Sequence, residues 1–527
     1  MTVFAHGVAS GDPLTDGVIL WTRVTSDDAA DVAEVAEVAD VAEVAEVAEA
    51  RAASSRADVP VTWQLARDAQ MHDVMAHGAS VATAEADHTV KVDVTGLEPG
   101  TRYWYAFEAL GERSTVGRTR TIPSGHVERL RFAQCSCAKY NAGFFNAYAR
   151  IAERDDLDFV LHLGDYFYEA AQNPPASQTP GADIGRPMNP LNECVTLADY
   201  RTRYAQYHAD PDAQAMHRMH PVIATVDDHE FADGAWRDGS TEHHPERDGS
   251  WADRKAAAFR ARWEWTPSRM PDPADPTRVF RSVPLGDLAE LFLIDTRSRR
   301  DAPARFGAAA DPTRTQLGPE QRAWLFGGLD SSAARWKLIG NGSMFSPIWV
   351  DGFPDAAMPA LLKLKLIHDD GKGCDPDQWE GYPAERLALV DVLARRPGEV
   401  VIFSGDIHAG VAAEVSATPL SDHRPVAVEF VTTSISSPNL DDKMKWPTRT
   451  KSIPMEQELL SLWPHIPWVD FDSHGYIVVE VRHAAVTAEW WAIDGVLAPS
   501  AREHRVAAFR TDHGRPALLP VMEEDRP

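Results

Sequence analysis

Short apolar runs punctuated by turn residues set the pattern of the first 120 positions. Val18–Val24, Val61–Arg67, Thr89–Val94 and Arg102–Ala109 have the length and spacing of strands in a small β-sandwich. Pro123-Ser124-Gly125 reads as a linker. Beyond it the periodicity changes. Leu130–Cys135 is a strand, and Asn141 is placed to cap a helix in which Phe144, Phe145, Tyr148, Ile151 and Ala152 fall at helical spacing. Phe159–Leu163 is a strand again. This β-α-β succession predicts an α/β (α+β) domain, to which Val222–Val226, Leu288–Ile294, Trp336–Ile339 and Val400–Phe403 add strands. Val426–Val431, Tyr476–Val481 and Val486–Ile493 predict a strand-rich close that completes a second sheet. The division expected is 1–123, 128–500 and a carboxyl-terminal tail, 501–527.

One stretch fits neither period. Residues 31–49 repeat Val, Ala and an acidic residue every three positions, so the valines wind around a helix without forming a stripe. The acidic low-complexity segment 29–50 is therefore expected to be a solvated insert. The seven acidic residues of its repeat account for part of a net charge of −27, and the rest of the chain still stands at −20. A surface of that sign disfavours nucleic acid or anionic lipid as the main partner, and no Lys/Arg run offers a basic channel. Any anionic substrate needs a local positive site, and carboxylate-held metal ions would supply one. Within the first module, Leu97-Glu98-Pro99-Gly100-Thr101-Arg102-Tyr103 resembles the tyrosine corner of a fibronectin III-like β-sandwich. No apolar run is long enough to span a bilayer, so no transmembrane segment is expected. The opening MTVFAHGVASGDP lacks a basic and then apolar leader, which places the protein in the cytoplasm if the chain is complete. Cys135, Cys137, Cys194 and Cys374 are too few to staple a chain of this length.

The chemistry follows the strands. Their apolar runs end in Ser136-Cys137, Gly164-Asp165-Tyr166-Phe167-Tyr168, Asp227-Asp228-His229-Glu230, Asp295-Thr296-Arg297, Gly340-Asn341 and Ser404-Gly405-Asp406-Ile407-His408. Open α/β sheets bind ligands beyond the carboxyl ends of their strands, so these groups are expected to converge. His162 and Cys135, inside strands, read as core residues, and Cys194, Cys374 and the His243-His244 pair as structural or surface groups. Trp349, Phe353, Trp379 and Trp446 offer an apolar wall or simply core.

Taken together, these motifs resemble the PhoD-type alkaline phosphatases and phosphodiesterases. These are metallophosphoesterases related to purple acid phosphatases, with phospholipase D-like relatives. Phe4-Ala5-His6-Gly7-Val8-Ala9-Ser10-Gly11-Asp12-Pro13 and Ile19-Leu20-Trp21-Thr22-Arg23 resemble that family's amino-terminal module. The resemblance implies a metallophosphatase-like β-sheet sandwich flanked by helices. It also implies that Cys137, Asp165, Tyr168 and His408 hold Fe3+, with Asp165 shared with one or two divalent ions, Ca2+ foremost, on Asp228 and Asp406. Asn341 stands either as a ligand or as a group facing substrate, and members of the family usually carry a twin-arginine leader.

Thiolate and phenolate suit a trivalent transition ion, whereas carboxylates suit hard divalent ions. Such a cluster activates a hydroxide for attack on a small phosphate ester, and no Ser or Thr sits in a nucleophile motif. His229, beside Asp228, is open to two roles, ligand or general acid. Arg297 is open to a phosphate fork or an ion pair with Asp295 or another acid. The expected activity is phosphomonoester or diester hydrolysis. The alternatives are a phospholipase D-like phosphodiesterase and, from another class, a non-catalytic phosphate-binding or adhesion protein.

Overall fold

The computed structural model describes residues 2–25, 57–172, 184–304, 309–348, 376–419 and 423–522. The insert 29–50, Trp349, Phe353 and Cys374 lie outside these residues. Two sheets face each other. The first has ten strands, in the order Arg515–Pro520, Glu503–Asp512, Ala485–Ile493, Gly475–Arg482, Arg129–Cys135, Phe159–His162, Pro221–Ala224, Val8–Gly11, Gly17–Arg23 and Thr89–Thr95. The second has seven: Arg281–Leu285, Ala289–Leu293, Trp336–Gly340, Val400–Ser404, Ala427–Val431, Gly410–Val415 and Trp468–Asp470. At the centre of each, the strands run parallel.

Alternation along the strands explains the layering. Leu130 and Phe132 point between the sheets and meet Phe403, Phe430, Val479 and Trp490, all buried, while Ala133 and Cys135 face the helices on the outer side. Gln134 falls on the inner face and is kept there because its Nε2 donates to the Ser404 and Phe430 carbonyls, both at 3.0 Å, tying one sheet to the other. Helices Leu197–His208 and Trp251–Trp265 cover the first sheet, and Gly318–Ser331 and Pro383–Leu393 the second. The first of these starts at Thr196, whose hydroxyl and the Asp199 carboxylate form a reciprocal capping box.

The described part of the amino-terminal module is strands apart from one 3-10 turn, Ala84–Ala86. Val59–Ala66, Val74–Ala82 and Arg102–Ala109, with the short Glu112–Arg113 and Gly117–Arg120, form a third sheet, packed through Leu65, Tyr103 and Phe107 against Val18, Leu20 and Val90. Tyr103 makes the predicted corner, its hydroxyl accepting from Glu98 N at 3.0 Å.

Several boundaries differ from expectation. The helix predicted from Asn141 spans Asn146–Ala152, so Phe144 and Phe145 precede it. Gly143 is pressed against Val496, and Phe144 N donates to the Val496 carbonyl at 2.7 Å, which keeps that stretch out of the helix. Of the closing strands, only Ala427–Val431 joins the second sheet. Gly475–Arg482 pairs with Arg129–Cys135 in the first, and Ala485–Ile493 follows it. Residues 501–522 do not form a tail, because Glu503–Asp512 and Arg515–Pro520 extend the first sheet and bury Phe509 and Leu518. His243 is buried, whereas its neighbour His244 is exposed. No described helix is long and apolar enough to cross a membrane.

Candidate metal centre

The carboxyl ends of the central strands bring most of the predicted groups together. Donor atoms of Cys137, Asp165 and His408 lie within 4.8 Å of one another, as do those of Asp165, Asp228 and His229, and those of Asp165, Asp227, Asp228 and Asp406. Asp165 belongs to all three groups, so its carboxylate stands where two ion positions would meet. Tyr168 joins the first, its hydroxyl 2.9 Å from Asp165 Oδ2 and 3.0 Å from His408 Nε2. His408 Nδ1 donates to the Pro438 carbonyl at 3.0 Å, which fixes the tautomer that leaves Nε2 unprotonated and facing the cluster.

The backbone at these positions is unusual. Cys137, Asp165, Asp406 and His408 have φ of 61°, 52°, 68° and 55°, a region that costs a side-chain-bearing residue about 1–3 kcal/mol. The surroundings enforce it. Cys137 O accepts from Ser436 N and Ser437 N, and Ala138 N donates to Asp165 O at 3.0 Å. Ser136 makes an isolated bridge to Ser434, just beyond the strand Ala427–Val431. Gly164 has φ of 105° and no room for a side chain, since an added Cβ would lie 2.4 Å from Asp227 N. The two loops therefore touch backbone to backbone, which sets Asp165 beside Asp227 and Asp228.

So much buried acid is not stable alone. Burial pushes the Asp165 carboxyl well above the usual carboxylate range, and Asp228, Glu230 and Asp406 add to the push. Burial likewise raises Cys137, Tyr168, Asp227 and Asp406, with neighbouring acids reinforcing each shift. His408 is held neutral, chiefly by burial. Asp228 Oδ2 accepts from Gly234 N at 2.6 Å, but its buried Oδ1 has no hydrogen-bond partner among the described residues. An orphaned carboxylate oxygen, a thiol, a phenol and mutually repelling acids around one point fit metal cations, whose charge reverses the upward shifts of the acids, thiol and phenol and keeps His408 neutral. The residues present thus match a mixed transition-metal and hard-cation cluster.

Four residues absent from the predicted set complete the arrangement. Asp227 contributes a carboxylate to the third group. Glu230, raised by burial to about 7 even though it accepts from Asp227 N, Tyr166 N and Asp165 N, laces the two acidic loops together. Glu169 accepts from His229 Nδ1 at 2.7 Å and is drawn down to about 2, burial notwithstanding, by that imidazole. Lys139 is half-buried, with its ammonium 5.4 Å from the Tyr168 ring centre. Glu169 follows the Gly-Asp motif directly, a signal available in the sequence, whereas its partner lies 60 residues on.

Arg297 is fully buried and does not pair with Asp295. Its guanidinium binds Asp227 and Asp377, and its Nη2 lies 2.7 Å from Asp406 Oδ2 and 3.9 Å from Asp228 Oδ1. Asp295 instead accepts from the backbone of Arg297 and Ser298. Asn341 lies at the end of its strand, but its carboxamide is engaged: Nδ2 donates to Ser343 O and Ser404 Oγ, and Oδ1 accepts from Trp379 Nε1 at 3.2 Å. Trp379 is core, and Trp446 is half-buried beside Lys451. His162 and Cys135 are buried as expected, His162 Nε2 bonded to Tyr148 Oη at 2.8 Å, and Cys194, read as structural or surface, is buried.

Comparison with known proteins shows the family. The sequence profile described as "PhoD-like phosphatase" matches residues 132–490, and that of its N-terminal domain matches residues 1–123. Alkaline phosphatase D of Bacillus subtilis (strain 168) is 32% identical over 97% of this chain and 79% of its own length. A solved structure of PhoD superposes with a TM-score of 0.81 at 29% identity, covering 98% of this chain and 92% of that one. A purple acid phosphatase from yellow lupin seeds shares the fold, with a TM-score of 0.53 at 12% identity over 96% of this chain and 74% of that one. The chain therefore belongs to the PhoD-like phosphatase family, whose members are metal-dependent phosphoric ester hydrolases.

Proposed function

We propose that this protein hydrolyses small phosphate esters at a multinuclear centre. Cys137, Asp165, Tyr168 and His408 hold ferric iron there, and Asp165, Asp227, Asp228 and Asp406 hold one or two divalent ions of the Ca2+ kind. The observation that carries this reading is the sharing of one carboxylate, Asp165, by three groups of donor atoms, each within 4.8 Å. Similarity to an alkaline phosphatase D supports the same class of reaction. When bound, such ions lower the pKa of water from 15.7 to roughly 7 and neutralise charge on phosphoryl oxygens.

The chain's own residues do the rest. His229 donates a proton from Nε2 to the departing ester oxygen. Burial opposes its charged form, but Glu169, Asp165 and Asp228 outweigh that and raise its pKa well above the ordinary value. The Tyr168 ring, with its centre 3.9 Å from that of the imidazole, fixes its plane. Lys139 adds positive charge at the rim for the substrate phosphate. Arg297 acts through others, holding Asp227 and Asp406 in place, and is a positioning residue.

Elemental analysis and turnover of nitrophenyl phosphate and bis-nitrophenyl phosphate, with and without added Ca2+, test the proposal. Iron plus a divalent ion, with chelation abolishing turnover, is expected. Turnover of the diester alone would assign a phosphodiesterase, including the phospholipase D-like kind. Turnover of neither, with phosphate bound by metal-free protein, would replace the enzyme by a binding module.

A further inference from the structure

Far from this centre, at the amino ends of the same parallel strands, a second set of metal-binding side chains meets. His126 belongs to the linker after the amino-terminal module. Asp287 sits in the turn between the strands Arg281–Leu285 and Ala289–Leu293 of the second sheet, and His483 in the turn between Gly475–Arg482 and Ala485–Ile493 of the first. The strand Arg129–Cys135 separates this place from Cys137, a span of roughly 20 Å at 3.3 Å per residue. Donor atoms of the three side chains lie within 4.8 Å of one another. Of the described groups with this property, it is the one outside the catalytic centre.

The local structure holds the set together. His126 Nδ1 is 2.9 Å from Asp287 Oδ2, and His483 Nε2 is 3.8 Å from Asp287 Oδ1. These values bracket the roughly 3.3 Å edge of a tetrahedron with 2.0–2.1 Å bonds, so a small rotation of exposed side chains closes the site. The carboxylate is aimed by Val127 N, which donates to Oδ1 at 2.9 Å; His483 Nε2 donates to the Val127 carbonyl at 3.0 Å, a bond it gives up, with its proton moved to Nδ1, when it takes an ion. The two imidazoles stack with centres 4.8 Å apart and planes 21° from parallel. Gly286 makes the close approach possible, for a Cβ there would lie 2.3 Å from Val127 Cγ2, and Asp287 N donates to Gly125 O at 2.9 Å. All three side chains are open to solvent, at 66%, 48% and 36% exposure, so a cation can enter.

We propose that His126, Asp287 and His483 form a surface site for a borderline divalent transition cation of the Zn2+ class, which ties the interdomain linker to hairpins of both sheets. Two imidazole nitrogens and one carboxylate oxygen are the donor set such an ion prefers, while Ca2+ and Mg2+ favour oxygens alone. On binding, each neutral imidazole carries its proton on the other ring nitrogen, and any imidazolium releases one proton to solvent. The remaining positions on the ion are taken by water. The reading is independent of the function proposed above.

Protein with its catalytic centre loaded is titrated with Zn2+ against a chromogenic chelator, beside His126→Gln and His483→Gln. Wild type is expected to bind one more equivalent than either variant, or to bind that equivalent at least tenfold more tightly. Zn2+ should raise the melting temperature of wild type and not of His126→Gln. Ester hydrolysis should stay within twofold of wild type in both variants. Equal stoichiometry and affinity in all three proteins would overturn the proposal, and so would a zinc equivalent whose binding inhibits hydrolysis equally in all three. His126 is the most exposed of the three, so its variant answers the question even where a change at Asp287, which also holds Val127 N, would disturb folding.

Discussion

Replacing His229 tests whether it moves a proton or holds a metal. A positioned general acid contributes about 10²- to 10⁴-fold, or roughly 2.7–5.5 kcal/mol at 1.36 kcal/mol per decade. Its ring is gripped on one edge by Glu169 at 2.7 Å and on one face by Tyr168, so little of that range is lost to mobility. His229→Gln should therefore cost a simple alkyl phosphate the full 10²- to 10⁴-fold in kcat, a range taken from positioned general acids generally. The same variant should cost a nitrophenyl ester less than about tenfold, because nitrophenolate departs without a proton and gains little from an acid. Glu169→Gln removes one charge-assisted hydrogen bond, worth about 1.5–3 kcal/mol or roughly 10- to 150-fold. Because Glu169 acts through His229, the double variant should be no slower than His229→Gln alone. The sign of the pH effect follows from the same contact. Glu169 raises the imidazolium pKa, so its loss moves the alkaline fall in rate towards lower pH. Steady-state rates on both esters across pH provide the assay. Equal losses on the two esters, or additive losses in the double variant, would refute the proton-donor role, and equal losses with reduced metal content would make His229 a ligand.

Arg297→Met strips Asp227, Asp377 and Asp406 of their shared cation and should destabilise metal-free protein by about 3–5 kcal/mol in chemical denaturation, with less loss once ions are bound. Gly164→Ala combines a φ of 105° with a Cβ 2.4 Å from Asp227 N, for roughly 1–3 kcal/mol of backbone strain and a similar cost of overpacking; lower metal content and melting temperature are expected, and wild-type values for both would contradict the close approach described. Metal-free protein should lose stability as pH rises from about 6.5 to 8. Asp165, Asp227, Asp406 and Glu230 titrate higher folded than unfolded, so their contribution is complete below the unfolded values and, for Glu230, is lost between about 4.5 and about 7. His408 and six more histidines lowered by burial, His6, His162, His208, His217, His220 and His465, run the opposite way below 6.5, so the acids' loss is read above that pH. Denaturation midpoints of chelated protein that climb from pH 6.5 to 8 would contradict this.

The sheets were legible because their central strands are buried on both faces and read as unbroken apolar runs bounded by glycine and acid. The edges were not. Glu503–Asp512 interleaves Glu503, Arg505, Arg510 and Asp512 with Val506 and Phe509, and a strand with one wet face and few large residues does not stand out from a polar tail. The sheet that received each closing strand was equally hidden, since pairing is decided by which neighbour offers a free edge, and no local pattern encodes that.

At the centre, position after a strand predicted convergence and the family resemblance picked out Cys137, Asp165, Tyr168, Asp228, Asp406 and His408, whose side chains do lie together. What stayed hidden was the division of labour among adjacent acids. In Asp227-Asp228-His229-Glu230 the chain makes one tight turn, and a single turn aims all four side chains differently: Asp227 at Arg297, Asp228 at Asp165, His229 at Glu169, and Glu230 back at the amides of the Gly164 loop. Spacing cannot separate these roles, because each is set by a partner from a distant strand end. For the same reason Arg297 was undecidable between phosphate and carboxylate. Its fate depended on Asp377, in a loop with no motif of its own, and on how closely the first sheet's acids approach the second sheet's. Cys137, Asp165, Asp406 and His408, all at positive φ, show what that approach demands: the backbone turns left-handed beyond these strand ends, and Gly164 belongs to the geometry as much as the carboxylates do, because a Cβ there would strike Asp227 N.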